Sequence, residues 1–352
     1  MTKPRLRDLG ITPGLLPTGR WNAITDVAGV RVGVATLVAD TPHVVRTGVT
    51  AIWPRGREIW GDYCFAGIHS FNGNGEMTGL PWIAEQGLLG APICITNTYS
   101  VGIVRDAICA LAVRDGATQA FHLPVAAETY DGWLSESERF PVTTDLAFQA
   151  LDRAASGPVP EGNVGGGTGM ICHEFKGGTG TASRVVAQDG ATYTVGALVQ
   201  ANYGARELFR VDGVPVGRII GPDVVASHRT MPREAGSIIV ILATDAPLLP
   251  IQCQRLARRA TTGLAWVGGI GSNGSGDIFL AFSTANHIRA GESVTHARML
   301  APEAMTLLFQ AAAEATEEAI LNAICAAETM TGRDGRIVHA LPHDLLKQAM
   351  KR

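Results

Sequence analysis

The chain has 352 residues, 46% hydrophobic and only 17% charged, with 42 glycines; such a composition describes a turn-rich globule with a large core and excludes disorder and coiled coil. Its 29 basic and 32 acidic residues leave a net charge of −3, and no basic run interleaves with aromatics, so nothing marks a nucleic-acid partner. No apolar stretch approaches membrane-spanning length, and the charged start Met1-Thr2-Lys3-Pro4-Arg5 is followed by no apolar segment, so neither a membrane span nor a signal peptide is expected.

In chain order, residues 29–34, 48–54 and 92–98 are short apolar runs between Gly, Pro or Asn and predict strands. Residues 102–111 predict a helix, and a second begins at Thr144-Asp145-Leu146, an N-cap followed by apolar periodicity to about Ala155. A glycine-dense segment spans 162–180, and a strand follows at 192–200. Residues 207–234 are irregular and polar, the best candidate for an exposed loop. Then Ile238-Ile239-Val240-Ile241-Leu242-Ala243, apolar at every position and mostly β-branched, predicts a strand covered on both faces. Thr244-Asp245 is expected to cap a helix entered at Pro247 and continuing through Ala260. The longest helix is expected from Pro302 to about Thr331, closed by Gly332. With no internal repeat and no linker, the expected result is one domain, 1–352, of sheets sandwiched between helices.

The junction Gly236-Ser237 stands directly before the apolar strand. A serine held there beside a glycine suits an intramolecular N→O acyl shift, after which Ser237 would be a new N-terminus carrying nucleophile and amine base on one residue. The α-amine is a suitable base, with an ordinary pKa of about 7.7–8.0. A serine paired with a histidine finds little support. Neither Ser237 nor Ser275 sits in G-x-S-x-G, and His228, on a polar stretch, reads as a surface histidine. Gly165-Gly166-Gly167-Thr168-Gly169 lacks the third glycine of a dinucleotide fingerprint, so its glycines serve tight turns and close sheet packing. The six cysteines are scattered without C-x-x-C and read as reduced and buried, in keeping with a cytoplasmic protein. The nine histidines cluster with neither cysteines nor H-E-x-x-H spacing, so no metal is expected. Asn273-Gly274-Ser275-Gly276-Asp277 reads by itself as a turn, although in an extended run Ser275 and Asp277 would face one side.

Further segments carry a resemblance. Asn22-Ala23-Ile24-Thr25-Asp26-Val27-Ala28-Gly29, Asn72-Gly73-Asn74-Gly75-Glu76-Met77-Thr78-Gly79, Glu128-Thr129-Tyr130-Asp131-Gly132, Lys176-Gly177-Gly178-Thr179-Gly180-Thr181-Ala182-Ser183-Arg184 and Val199-Gln200-Ala201-Asn202-Tyr203-Gly204 occur in that order, followed by Gly236-Ser237, Ala243-Thr244-Asp245-Ala246-Pro247 and Asn273–Asp277. In these the chain resembles, over essentially its whole length, the DmpA-like L-aminopeptidase/D-esterase family, which includes the β-peptidyl aminopeptidases. The resemblance implies a four-layer αββα sandwich, N-terminal-nucleophile-like with altered connectivity. It implies a precursor that cuts itself between Gly236 and Ser237, giving an α chain 1–236 and a β chain 237–352 that assemble as a homo-oligomer of αβ units, a tetramer being favoured. It also implies small peptide or aminoacyl amide and ester substrates, with no metal or organic cofactor. By position, Ser237 is the nucleophile, Ser275 with Asp277 supports its hydroxyl and amine, Asn202 stabilises the oxyanion with Tyr130 as a second donor, and Glu128 anchors the substrate ammonium. Asp245 remains a helix cap. Two other functions stay open: an acyltransferase of the ornithine acetyltransferase type, and an unprocessed small-molecule binding protein.

Overall fold

A computed structural model describes residues 3–188, 190–227 and 236–351. Two sheets lie face to face. The first holds β1 (Arg31–Ala39), β2 (Val45–Trp53), β5 (Ile93–Asn97) and β6 (Val125–Thr129) in that order. The second runs β4 (Leu88–Leu89), β3 (Asp62–Ser70), β12 (Ser275–Arg289), β11 (Gly236–Thr244), β10 (Ala191–Asn202) and β9 (Gly178–Gln188). The pairs β11–β12 and β5–β6 are parallel and the other neighbours antiparallel.

Helices α2 (Val101–Arg114) and α3 (Thr144–Asp152) cover the outside of the first sheet, and α5 (Pro250–Ala257), α6 (Ala260–Val267) and α7 (Met305–Cys325) cover the second. Smaller pieces complete the chain: α1 (Leu80–Gln86), α4 (Val216–Ile219), α8 (His343–Met350) and the hairpins β7 (Ile171–Cys172)–β8 (Phe175–Lys176) and β13 (Met330–Thr331)–β14 (Ile337–Val338). The expected αββα layering is therefore present. It explains why β11 is apolar throughout: Ile238, Val240 and Leu242 enter the core beneath the helices, while Ile239, Ile241 and Ala243 enter the core between the sheets.

The glycine-dense segment packs as the sequence suggests. Gly165–Gly167 form a 3₁₀ turn wedged between the sheets, where a Cβ on Gly166 would lie 2.5 Å from the Ile95 carbonyl. Several expectations need correction. The N-cap of α3 is Thr143, whose hydroxyl accepts from the Leu146 amide, and the helix ends at Asp152 because Ala155 bridges to Val32. Asp245 caps no helix; its carboxylate accepts from the Thr194 amide at 2.7 Å and closes the end of the β10–β11 ladder. The helix after it starts only at Pro250, capped at Leu249, and is followed by a separate α6. The long helix likewise stops at Cys325, since Met330–Thr331 pair with Ile337–Val338 as a hairpin. Finally, residues 207–227 are not a free loop, for Phe209, Val211, Val216 and Ile220 are buried in the helix-side core. Residues 228–235, including His228, lie outside the described residues.

Candidate active site

Gly236 and Ser237 open β11 at the middle of the second sheet, with Ser237 opposite Asn202 of β10 and Gly276 of β12. Glycine is required at 236 by the neighbouring strand: a Cβ there would stand 2.5 Å from the Asn202 carbonyl and 2.7 Å from Tyr203 Cα. Paired residues in a sheet share a face. Ser237 and Asn202 therefore point between the sheets, as do Ile239 and Gln200, the latter donating across to Thr96 O and Thr129 Oγ1, each at 2.8 Å.

Ser275 and Asp277 are also brought to the junction, but on the opposite face. They flank Gly276 and therefore project with Ile238 towards the helices, which aims them at the Gly236–Ser237 main chain and not at the Ser237 side chain. The Ser275 hydroxyl donates to Asp277 Oδ1 at 2.6 Å. Burial pushes the Asp277 carboxyl up, opposed by the Ser275 hydroxyl, the Asn72 amide and the Ile238 N–H. With Gly236 and Tyr203 these two line a cavity of about 20 Å³, room for about one water molecule.

Asn202 is held at both ends of its amide. Oδ1 accepts from the Ile171 N–H at 2.9 Å and Nδ2 donates to the Tyr130 carbonyl at 3.0 Å. This fixes the orientation of the amide and leaves Nδ2 a second hydrogen on the face shared with Ser237. The Tyr130 side chain is 52% exposed, and its ring folds back so that a Cβ on Gly132 would meet its hydroxyl at 2.1 Å. Burial, then the Tyr99 hydroxyl, raises the Tyr130 phenol, which keeps it a donor. What the structure brings to Asn202 is the backbone of Tyr130.

Glu128, near the end of β6, is buried; Oε1 accepts from the Glu76 amide at 2.9 Å and Oε2 from the Thr98 hydroxyl. Burial pushes its carboxyl above the usual range, against the lowering effect of those two donors.

The piece whose role the sequence leaves unassigned is the 72–78 loop. Its backbone exchanges hydrogen bonds with Asp277, with the Asn72 amide reaching Asp277 O at 3.3 Å and the Asp277 amide reaching Asn72 O at 3.1 Å. The Asn74 amide reaches Ser275 O at 3.3 Å, and the Thr78 amide reaches Ala126 O in β6 at 2.9 Å. A Cβ on Gly75 would lie 3.2 Å from both Glu128 Oε1 and Gly276 Cα. This loop thus clasps Glu128 against the Ser275–Asp277 strand, a junction between segments some 50 and 200 positions apart that no local pattern announces.

Lys176 is a supporting residue that its place in a glycine-rich run does not reveal. Fully buried, its ammonium donates to Met170 O at 2.6 Å and Gly177 O at 2.9 Å, holding the β7–β8 hairpin whose Ile171 N–H orients Asn202. Burial, then the charge of Lys3, lowers Lys176 to about 7. Lys176→Met strands the buried Gly177 carbonyl, worth about 1–3 kcal/mol, while Met170 O keeps the Gly177 amide at 2.9 Å, and a corresponding drop in unfolding free energy is expected in urea titrations. The unfolded chain keeps this proton up to a pH near its ordinary value of 10.5, whereas the fold releases it near 7. Wild-type stability should therefore rise across that interval, and the Met variant should lack the gain. In the same segment Arg184 serves packing, pairing with Glu314 at 3.0 Å and Glu318 at 2.8 Å on α7.

The described cysteines are all free, and all but Cys109 are buried. Among the described residues no helix is long and apolar enough to cross a membrane.

The chain is similar over nearly its whole length to known aminopeptidases. The beta-peptidyl aminopeptidase BapA of Sphingosinicella microcystinivorans is 48% identical over 99% of this chain and 92% of its own length. A solved Burkholderia sp. beta-aminopeptidase is 51% identical with a TM-score of 0.91, covering 99% of this chain and 98% of its own. The L-aminopeptidase D-Ala-esterase/amidase of Ochrobactrum anthropi, described as a variant of the Ntn hydrolase fold, is 45% identical with a TM-score of 0.92 and the same coverage. The profile of peptidase family S58 matches residues 22–338. A layered α/β sandwich that sets a serine at the head of a central strand, in a chain so similar to these enzymes, belongs to peptidase family S58 and is a serine aminopeptidase/amidase of the N-terminal-nucleophile hydrolase fold.

Proposed function

We propose that this aminopeptidase matures by cutting itself between Gly236 and Ser237 and then uses Ser237 to release N-terminal residues from short peptides, amides and esters. In maturation the Ser237 hydroxyl attacks the Gly236 carbonyl carbon. The bond from that carbon to the Ser237 nitrogen breaks, the proton lost by the hydroxyl passes to the departing nitrogen, and an ester with a free amine forms. Water then hydrolyses the ester, leaving a Gly236 carboxylate and a free Ser237 amine. Ser275 and Asp277 face this main chain from the helix side; in this reading they hold the freed amine and stabilise the cation it becomes when it takes the serine proton. The hydroxyl remains on the other face, towards the cleft between the sheets.

In turnover the freed amine takes the hydroxyl proton as Ser237 attacks the scissile carbonyl. The second Nδ2 hydrogen of Asn202 stabilises the oxyanion, and the leaving amine departs with a proton. Water releases the acyl group. Glu128 holds the substrate ammonium, which restricts the enzyme to free N-termini. The observation that carries this reading is the register that sets Asn202, Ser237 and Gly276 side by side, with Glu128 clasped to the same strand ends. The names of the beta-peptidyl relatives support N-terminal β-amino acids as substrates, and the assembled form in this reading is a homo-oligomer of αβ units.

Intact-mass measurement of purified protein tests the cut; a species ending at Gly236 and another starting at Ser237 are expected. A panel of α- and β-aminoacyl p-nitroanilides tests the substrate class, and sedimentation tests the assembly. Absence of turnover with every unblocked substrate would defeat the reading. Glu128→Gln is expected to raise KM about tenfold or more, the value of a charge-assisted hydrogen bond, with a smaller change in kcat. Because burial raises the Glu128 carboxyl, wild-type kcat/KM should fall with decreasing pH earlier than an ordinary carboxylate would dictate, and the Gln variant should lose that limb.

A further inference from the structure

On the helix side, far along the chain from Ser237, an open groove of about 940 Å³ runs along α7, within the range of small-ligand sites. Its floor is the Phe309 and Glu317 face of α7. Its walls are Leu15, the turn carrying Arg210 and Asp212, and Arg259 with Trp266 at α6. Glu317 is 5% exposed, and among the described residues its carboxylate has neither ion pair nor hydrogen bond. Its neighbours on α7, Glu314 and Glu318, are both satisfied by Arg184. Asp212, also without an ion pair among the described residues, is close enough to act on Glu317. Opposite charge lines the same groove without meeting them. Arg259 lies over the Phe309 ring at 4.2 Å, and Arg210 makes only a 3.4 Å contact with Gly213 O. A buried carboxylate without a partner is costly, and a ligand cation removes that cost.

We propose that this groove is a second binding site, taking a free amino acid or short unblocked peptide. The ligand's ammonium sits at Glu317 and Asp212, its carboxylate at Arg210 and Arg259, and an apolar side chain lies on Trp266 and Phe309. Both termini are recognised, so the site distinguishes zwitterions from molecules carrying one charge. It is separate from Ser237 and does not depend on the chemistry there.

Calorimetry with L-phenylalanine, 2-phenylethylamine and 3-phenylpropanoate tests the site. L-phenylalanine should bind about tenfold or more tightly than either singly charged analogue, the difference expected of one charged contact. Glu317→Gln and Arg259→Met should each weaken it by a similar factor, while Glu128→Gln, which alters the catalytic cleft, should leave this binding in place. Affinity should rise as pH is raised through about 7, where burial and Asp212 have pushed the Glu317 carboxyl. Asp212 from the turn, Arg184 from β9, and Glu314 and Glu318 on α7 are the other charges that act on it. The two variants approach the site from opposite poles, so a folding defect in one leaves the other informative. Equal affinity in both variants and the wild type, loss of binding in Glu128→Gln, or no saturable binding of L-phenylalanine would overturn the proposal. So would a change of oligomeric state in Glu317→Gln without L-phenylalanine binding, which would make the groove an interface between copies.

Discussion

Ser237→Ala is expected to leave the chain uncut and without peptidase activity. The same hydroxyl serves both steps in the proposed mechanism: it attacks the Gly236 carbonyl during maturation and the substrate carbonyl afterwards. Removing it also keeps the α-amine locked in a peptide bond, so nucleophile and base disappear together. Loss of a serine nucleophile that works as a unit with its base costs on the order of 10⁶-fold in kcat. Denaturing electrophoresis and intact mass should show one full-length species, and p-nitroanilide release should fall to background. A cut or active Ser237→Ala protein would remove Ser237 from the centre of the mechanism. Strand β11 itself should persist, because residues 238–243 supply its apolar faces, and an unchanged far-UV spectrum would separate lost chemistry from lost fold.

Asn202→Ala should give a different pattern. Its amide bridges the Ile171 N–H and the Tyr130 carbonyl while facing the same cleft as Ser237. Removal of one oxyanion donor typically costs about 10²–10³ in kcat. The proposed ammonium contact at Glu128 is untouched, so KM should change far less than kcat. Two buried partners also lose their bonds, so thermal stability should fall by an amount comparable with one or two hydrogen bonds. Asn202→Asp separates the two roles: its oxygen still accepts from Ile171, but the Nδ2 donor is gone. Turnover as poor as in the Ala variant is the expected outcome, with the Ile171 bond kept but an oxygen set against the Tyr130 carbonyl, so that no gain in stability over the Ala variant is required. Wild-type kcat in Asn202→Asp would exclude the side chain as oxyanion donor.

The strand β11 is legible because its apolar residues run uninterrupted from Ile238 to Ala243, the mark that burial on both faces leaves in composition, whereas β2 is buried throughout while carrying Arg46, Thr47 and Thr50. Asp245 departs from its expected role for a physical reason. An Asp after a strand and before a proline suits a helix cap equally well, and only the arrival of the Thr194 amide, supplied by the adjacent strand, decides otherwise. The end of α7 differs similarly, since the segment after it has its partner in a hairpin and not in the preceding turn.

The residue types of the site were determined by the sequence itself: a glycine-serine junction before a doubly buried strand, a Ser-Gly-Asp triplet, and a motif carrying Glu128. Which face each occupies was decided only in three dimensions. The parallel register of β11 on β12 sets Ser237 between the sheets and Ser275 and Asp277 on the helix side, and a one-residue slip between the two strands would put all three on one face. The 72–78 loop then fastens Glu128 to those strand ends through backbone bonds. Spacing along a chain sets alternation within one strand, but the relative face of two strands depends on how they pair, and that pairing is set by the packed sheet.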